Sequence, residues 1–134
     1  MPLDLPALST VISSRFPNIA FAYLFGSSKD GIVKKGSDVD IALYYTGNDP
    51  LIRFQVDEAL ERAFEGMVFD LVELQKAEPV LAFEALSGSR LFVRPEAIET
   101  FLDFFTLTSR IYRDRMYWIN KQLIYRGYEV QWSD

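Results

Sequence analysis

Residues 19–25, Ile-Ala-Phe-Ala-Tyr-Leu-Phe, form an apolar run that stops at Gly26. Seven apolar residues ended by a glycine read as a strand buried on both faces. Beyond Ser27 and ten intervening residues, the chain enters a second strand pattern at Asp38-Val39-Asp40. From there to Tyr45 it alternates. Asp38, Asp40, Ala42 and Tyr44 fall on one side, and Val39, Ile41, Leu43 and Tyr45 on the other. Period two therefore holds both carboxylates on one face of a strand whose opposite face is anchored in a core. Carboxylates held side by side repel, so such a pair calls for a cation or a shared proton. Mg²⁺ suits them, because it takes oxygen ligands and keeps positions open for water and phosphate.

The Gly26-Ser27 corner supplies the complementary half. Glycine lets the backbone approach a ligand closely, amides at a strand-to-turn corner donate to phosphate oxygens, and a serine hydroxyl donates once more. A phosphate cradle beside a metal pair implies phosphoryl or nucleotidyl transfer.

The rest of the chain is punctuated clearly. Leu5, Leu8, Val11, Ile12 and Phe16 recur at near-helical spacing before Pro17. Residues 46–50 are turn chemistry ending in an N-cap Asp49 and a first-turn Pro50. A helix over 50–65 is expected to bury Ile52, Val56, Ala59, Leu60 and Ala63, with Gly66 as its stop. Residues 67–74 read as a third buried strand with Asp70 at its middle, where an ionised group is costly unless paired or metal-bound. That makes Asp70 a third site carboxylate. The plainer reading is a buried ion satisfied by amides or an arginine. Glu73 falls on the opposite face. A short helix over 78–86 precedes an edge strand at 90–94. Pro95 then opens a long helix to about Tyr125, with Ile98, Phe101, Leu102, Phe105, Tyr112, Met116, Ile119 and Leu123 as its core stripe. The expected fold is α+β, a two-layer α/β sandwich: a small mixed sheet with helices packed on one face and a long C-terminal helix.

The 134 residues read as one domain, without repeats or linker. No apolar run reaches transmembrane length and no signal peptide is evident, which suits a cytoplasmic protein. Zero cysteine excludes disulfides and zinc–thiolate sites, and zero histidine leaves acid–base work to carboxylates, Lys or Tyr. A net charge of −5 argues against a large nucleic-acid footprint.

The Gly-Ser, ten residues, Asp-x-Asp pattern resembles the motif of the polymerase-β-like nucleotidyltransferase superfamily, and more closely that of its minimal nucleotidyltransferase (MNT) members. The resemblance implies a nucleotidyltransferase fold in which Gly26 and Ser27 hold the nucleotide's phosphates. It also implies that Asp38 and Asp40 bind metal, with Asp70 as the third carboxylate. In the implied reaction ATP is substrate with two Mg²⁺ ions, an acceptor hydroxyl attacks the α-phosphate, and pyrophosphate leaves. Many members carry arginines just after the Gly-Ser pair, where this chain has Ser28 and Asp30. Lys29, Lys34 and Lys35 are the cations available instead, Lys29 being the nearest nucleotide-binding candidate, and lysine does not reproduce arginine's bidentate fork. A solvated hairpin loop is the plain alternative for that segment.

The resemblance further implies an antitoxin role toward a HEPN-domain toxin, by transfer of AMP to one of its tyrosines. The chain is not itself such a ribonuclease, whose active site uses a histidine. Two other readings stand beside this one: a non-catalytic module that neutralises its partner by binding, and nucleotidyl transfer to a small molecule. The C-terminal helix, about 95–125, is the expected partner surface. Phe104, Tyr117, Trp118, Tyr125, Tyr128 and Trp132 lie off the core stripe, among Arg110, Arg113, Arg115, Lys121 and Arg126. A homodimer is the competing use of that surface.

Overall fold

The computed structural model describes residues 2–34 and 36–127. Helix α1 (Leu5–Arg15) starts where Asp4 Oδ1 accepts the Ala7 N–H at 3.0 Å, with Pro6 in its first turn. Such a cap contributes about 1 kcal/mol. Strand β1 (Ile19–Phe25) follows, every residue buried. Strand β2 (Val39–Tyr45) runs antiparallel to it and sets Asp40 opposite Phe25. Helix α2 (Ile52–Ala63) provides the crossover that a parallel neighbour requires, and β3 (Phe69–Glu73) returns alongside β2 with Asp70 opposite Asp40. Helix α3 (Pro79–Leu86) leads to β4 (Ser89–Val93), antiparallel on the far side of β1. Helix α4 (Ile98–Tyr125) completes the described chain. The mixed sheet has the order β3-β2-β1-β4. Among the described residues no helix is long and apolar enough to cross a membrane.

The α+β class, the mixed sheet and the long last helix are as expected; the single covered face is not. On one side α1 and α2 bring Leu8, Ile12, Val56 and Leu60 against Ala22, Leu24, Val39, Ile41 and Leu43. On the other, α3 and α4 bring Ala82, Ala85, Leu86 and Phe101 against Phe21, Tyr23 and Ala42. A strand as uniformly apolar as β1 needs a cover on both sides. The Asp38/Asp40 face of β2 is polar only at its leading end, and Ala42 and Tyr44 behind it pack under the helices.

Arg94 ties the layers together. Its guanidinium donates to the carbonyls of Ile19 (2.6 Å), Ser13 (2.7 Å) and Phe16 (2.9 Å), closing the C-terminal end of α1 onto the start of β1. Ser13 lies in the last turn of α1 and Phe16 caps it, so a cation there also meets the helix dipole favourably.

Four local expectations change. The cap of α2 is Leu51, while Asp49 Oδ1 accepts the Leu51 N–H at 2.9 Å, and Ala63 is exposed. β3 is an outer strand shorter than 67–74, and Asp70 is exposed on it and not buried. On α4, Ile98, Leu102, Phe105 and Ile119 are 42, 53, 38 and 42% exposed. Phe101 and Tyr112 pack as expected, and Phe104 and Thr108 join them. Phe101 and Phe104 both meet Phe21, at ring-centroid distances of 5.1 and 6.1 Å, and Phe104 also meets Tyr44 at 5.2 Å. Phe104 therefore belongs to the core and not to a partner surface. The contact line passes through the small polar Thr108, which hydrophobic periodicity discounts.

Candidate active site

β1 ends where the backbone turns through Gly26 at φ +72°, a conformation that favours glycine. A Cβ there would lie 2.1 Å from Asp40 Oδ2. The missing side chain thus lets the Asp40 carboxylate press against the turn. Gly26–Ser28 forms one tight 3₁₀ turn, closed by the Lys29 N–H donating to the Gly26 carbonyl at 3.3 Å. Ser28 is fully buried, and its hydroxyl donates to the Asp38 carbonyl at 3.4 Å, tying the turn to the entrance of β2. Ser27 and Lys29 remain exposed.

Three carboxylates gather on this corner. Asp38 is exposed just ahead of β2, Asp40 is half-buried on it, and Asp70 faces Asp40 across the parallel pair. Burial, followed by the negative charges of Asp70 and Asp38 and a hydrogen bond with Asp70, holds the Asp40 carboxyl above its ordinary range. Among the described residues no three His, Cys, Asp or Glu side chains already form a group able to hold a metal ion. The donor set is nevertheless all hard oxygen and short of positive charge, which is the chemistry Mg²⁺ satisfies with phosphate and water completing its shell.

The raised Asp40 pKa fixes the sign of a stability effect. Its folded state holds the proton more tightly than the unfolded chain. Stability is therefore highest below the unfolded pKa and falls as pH rises through the folded one. Urea melts across the acid range should show that fall, and Asp40→Asn should flatten it.

Beside the corner opens a cleft of about 410 Å³ lined by Phe25, Gly26, Lys29, Phe83, Glu84, Ser87 and Tyr112. Phe83 and Tyr112 form one wall, stacked at 4.1 Å with 13° between their planes. Close approach of α3 to β1 builds this cleft, since a Cβ on Gly88 would stand 2.1 Å from the Leu24 carbonyl oxygen. Gly26, Ser27, Lys29, Asp38, Asp40 and Asp70 are thus brought to one end of the sheet. Lys34 does not line the cleft and Lys35 lies outside the described residues. Phe83, Glu84, Ser87 and Tyr112 were not legible as site residues. Tyr112 reads as core, and Gly88, between the short helix and the edge strand, is the one local signal of the tight junction.

The polymerase beta nucleotidyltransferase family matches residues 8–97, from α1 through β4 and all three carboxylates. The protein adenylyltransferase MntA of Shewanella oneidensis MR-1 is 30% identical over 93 residues, which is 68% of this chain and 66% of that one. A crystal structure of a toxin–antitoxin with AMP-PNP is similar at a TM-score of 0.69 and 24% identity, covering 93% of this chain and 98% of its own. A structure of tri-AMPylated Shewanella oneidensis HEPN toxin in complex with MNT antitoxin gives a TM-score of 0.62 at 22% identity, covering 92% and 94%. At these identities the two structures speak to the fold. The family match, more than half the chain and centred on the corner just described, makes this protein a member of the polymerase beta nucleotidyltransferase family.

Proposed function

We propose that this protein transfers AMP from ATP to a tyrosine hydroxyl of a HEPN-type toxin in the cytoplasm, and so acts as that toxin's antitoxin. The observation that carries the reading is Asp40, wedged between a glycine corner that admits its carboxylate and an opposing Asp70. Asp38 and Asp40 are the residues that would hold Mg²⁺, with Asp70 completing the set. The chemistry such an ion would supply is neutralisation of the phosphate charge. The Gly26–Ser28 turn offers amides and the Ser27 hydroxyl to the triphosphate, and Lys29 adds a cation at the mouth of the cleft. Asp70, exposed on the outer strand, is the carboxylate that takes the proton from the attacking hydroxyl in a chain with no histidine. The adenylyltransferase name of the 30% identical relative supports the same reaction. ATP labelled separately on its α- and γ-phosphates tests it. Label should pass to the partner from the α position and leave as pyrophosphate from the γ position. Release of free phosphate from the γ position with no labelled partner would refute transfer.

Gly26→Ala is expected to abolish metal-dependent ATP binding. Its Cβ would displace Asp40, while the left-handed backbone costs stability about 1–2 kcal/mol. Titration calorimetry and a melt on one preparation separate the two effects.

The partner surface falls on the distal half of α4, beyond the residues of the family match. There Tyr117, Trp118 and Tyr125 are 46, 62 and 94% exposed, and Lys121 lies 5.4 and 5.7 Å from the rings of Tyr117 and Trp118. Arg115 is already paired with Glu78, and Tyr128 and Trp132 lie outside the described residues. Exposed aromatics beside cations have the composition of interface hot spots. Replacing Tyr117 and Trp118 with Ser should weaken partner binding by about 10–100-fold without lowering the melting temperature, measured by co-purification and calorimetry. Undiminished binding by the folded double variant would move the interface elsewhere.

A further inference from the structure

The cleft beside the glycine corner is lined by two chemically different sets of residues. Gly26 and Lys29 bring a backbone turn and a cation, the chemistry that meets phosphate. Helices α3 and α4 bring Phe83 and Tyr112, together with Glu84 and Ser87. The two rings stack at 4.1 Å with 13° between their planes. Both are only half-buried and both line the cleft, so the pair keeps ring surface open to it. The pair is also held in place. Gly88 lets α3 close on β1, and Glu78, which caps α3, pairs with Arg115 further along α4. A platform that is already assembled costs little to order when a ligand arrives. Its volume of about 410 Å³ lies within the range of roughly 300–1,000 Å³ common to small-molecule sites.

The polar groups beside the rings are both acceptors. Glu84 is exposed, and its carboxylate has no hydrogen-bond or ion-pair partner among the described residues. The Ser87 hydroxyl already donates its proton to the Phe83 carbonyl at 2.9 Å, which leaves its oxygen to accept. A ligand edge that offers N–H donors suits this pair, and an edge of carbonyl oxygens does not. We infer that the Phe83–Tyr112 pair is the platform on which the nucleotide's base stacks, and that Glu84 and Ser87 select a base carrying an exocyclic amine. The inference rests on the AMP-transfer reading and gives α3 and α4 the choice of nucleotide within its cleft. Any base can stack on an aromatic ring, and a purine covers more of it than a pyrimidine. Adenine therefore gains over uracil twice, by ring area and by its amine, where uracil would turn a carbonyl toward two acceptors. Tyr112 lies on α4 beyond residues 8–97 of the family match, so half of the platform comes from outside the matched region.

The test is titration calorimetry of the full chain with Mg²⁺ against ATP, UTP and inorganic triphosphate, which carries no base. Tyr112→Ala and Phe83→Ala should each weaken ATP binding by about 10–100-fold and leave inorganic triphosphate binding unchanged. Tyr112→Phe keeps the ring and should bind ATP as the wild type does. Glu84→Ala should narrow the preference for ATP over UTP by about 3–10-fold, with UTP affinity little changed. Should Phe83→Ala fail to fold, the two Tyr112 variants carry the comparison. Wild-type ATP affinity in Tyr112→Ala would overturn the platform. So would an equal loss of ATP and inorganic triphosphate, which would mark the ring as support for the fold. An unchanged ratio of ATP to UTP affinity in Glu84→Ala would overturn the selection of an amine. Ring-dependent ATP binding by a wild type that passes no AMP to its partner would sink the transfer reading and leave the platform standing.

Discussion

Asp38→Asn and Asp40→Asn are each expected to slow AMP transfer by about a thousandfold, roughly 4 kcal/mol of transition-state stabilisation. The reasoning is electrostatic. Each substitution removes a full negative charge and one strong oxygen ligand, and the amide that replaces it binds a hard cation poorly. The two variants should nevertheless differ in the absence of metal. Asp40 is half-buried, and that burial, followed by the charges of Asp70 and Asp38, raises its pKa, so neutralising it stabilises the metal-free protein at neutral pH. Asp38 is exposed, and its loss should leave the melting temperature nearly unchanged. Transfer rates and melts with and without Mg²⁺ check both halves. Near-normal transfer in either variant would remove that residue from the site.

Asp70→Asn should nearly abolish transfer while shifting stability by no more than about 0.5 kcal/mol. A buried structural ion would have behaved otherwise, costing about 3–5 kcal/mol when its pairing is broken. The exposure of Asp70 on the outer strand sets that possibility aside. What remains is its position, opposite Asp40 in the parallel register and exposed on the outer strand. A melt and a transfer assay on the same preparation are sufficient. A destabilised variant of near-normal specific activity would contradict the role given to Asp70.

The corner was legible because its determinants are local. A glycine closing an apolar strand, and two aspartates spaced by one residue on the next, need only the pleat of a β-strand to share a face. Asp70 was legible as a candidate but its setting was not. Strand order and parallel register decide what it faces and how much water it sees, and both arise from contacts between distant segments. The same limit explains α4. Periodicity selects Phe101 together with Ile98, Leu102 and Phe105, yet the helix packs on Phe101 and Phe104, because both rings can reach Phe21. Phe83 and Tyr112 meet only because Gly88 lets α3 close on β1, a packing fact that no spacing announces. Sequence pattern thus located the carboxylates, and tertiary packing built the cleft beside them.

The most direct test of AMP transfer by this corner is the intact mass of the HEPN partner after co-expression with the wild-type chain and, separately, with Asp40→Asn. The expected result is a partner carrying one or more adenylyl groups on tyrosine with the wild type, and an unmodified partner with the variant. A wild-type chain that neutralises its partner while leaving its mass unchanged would contradict the account, as would equal modification by both.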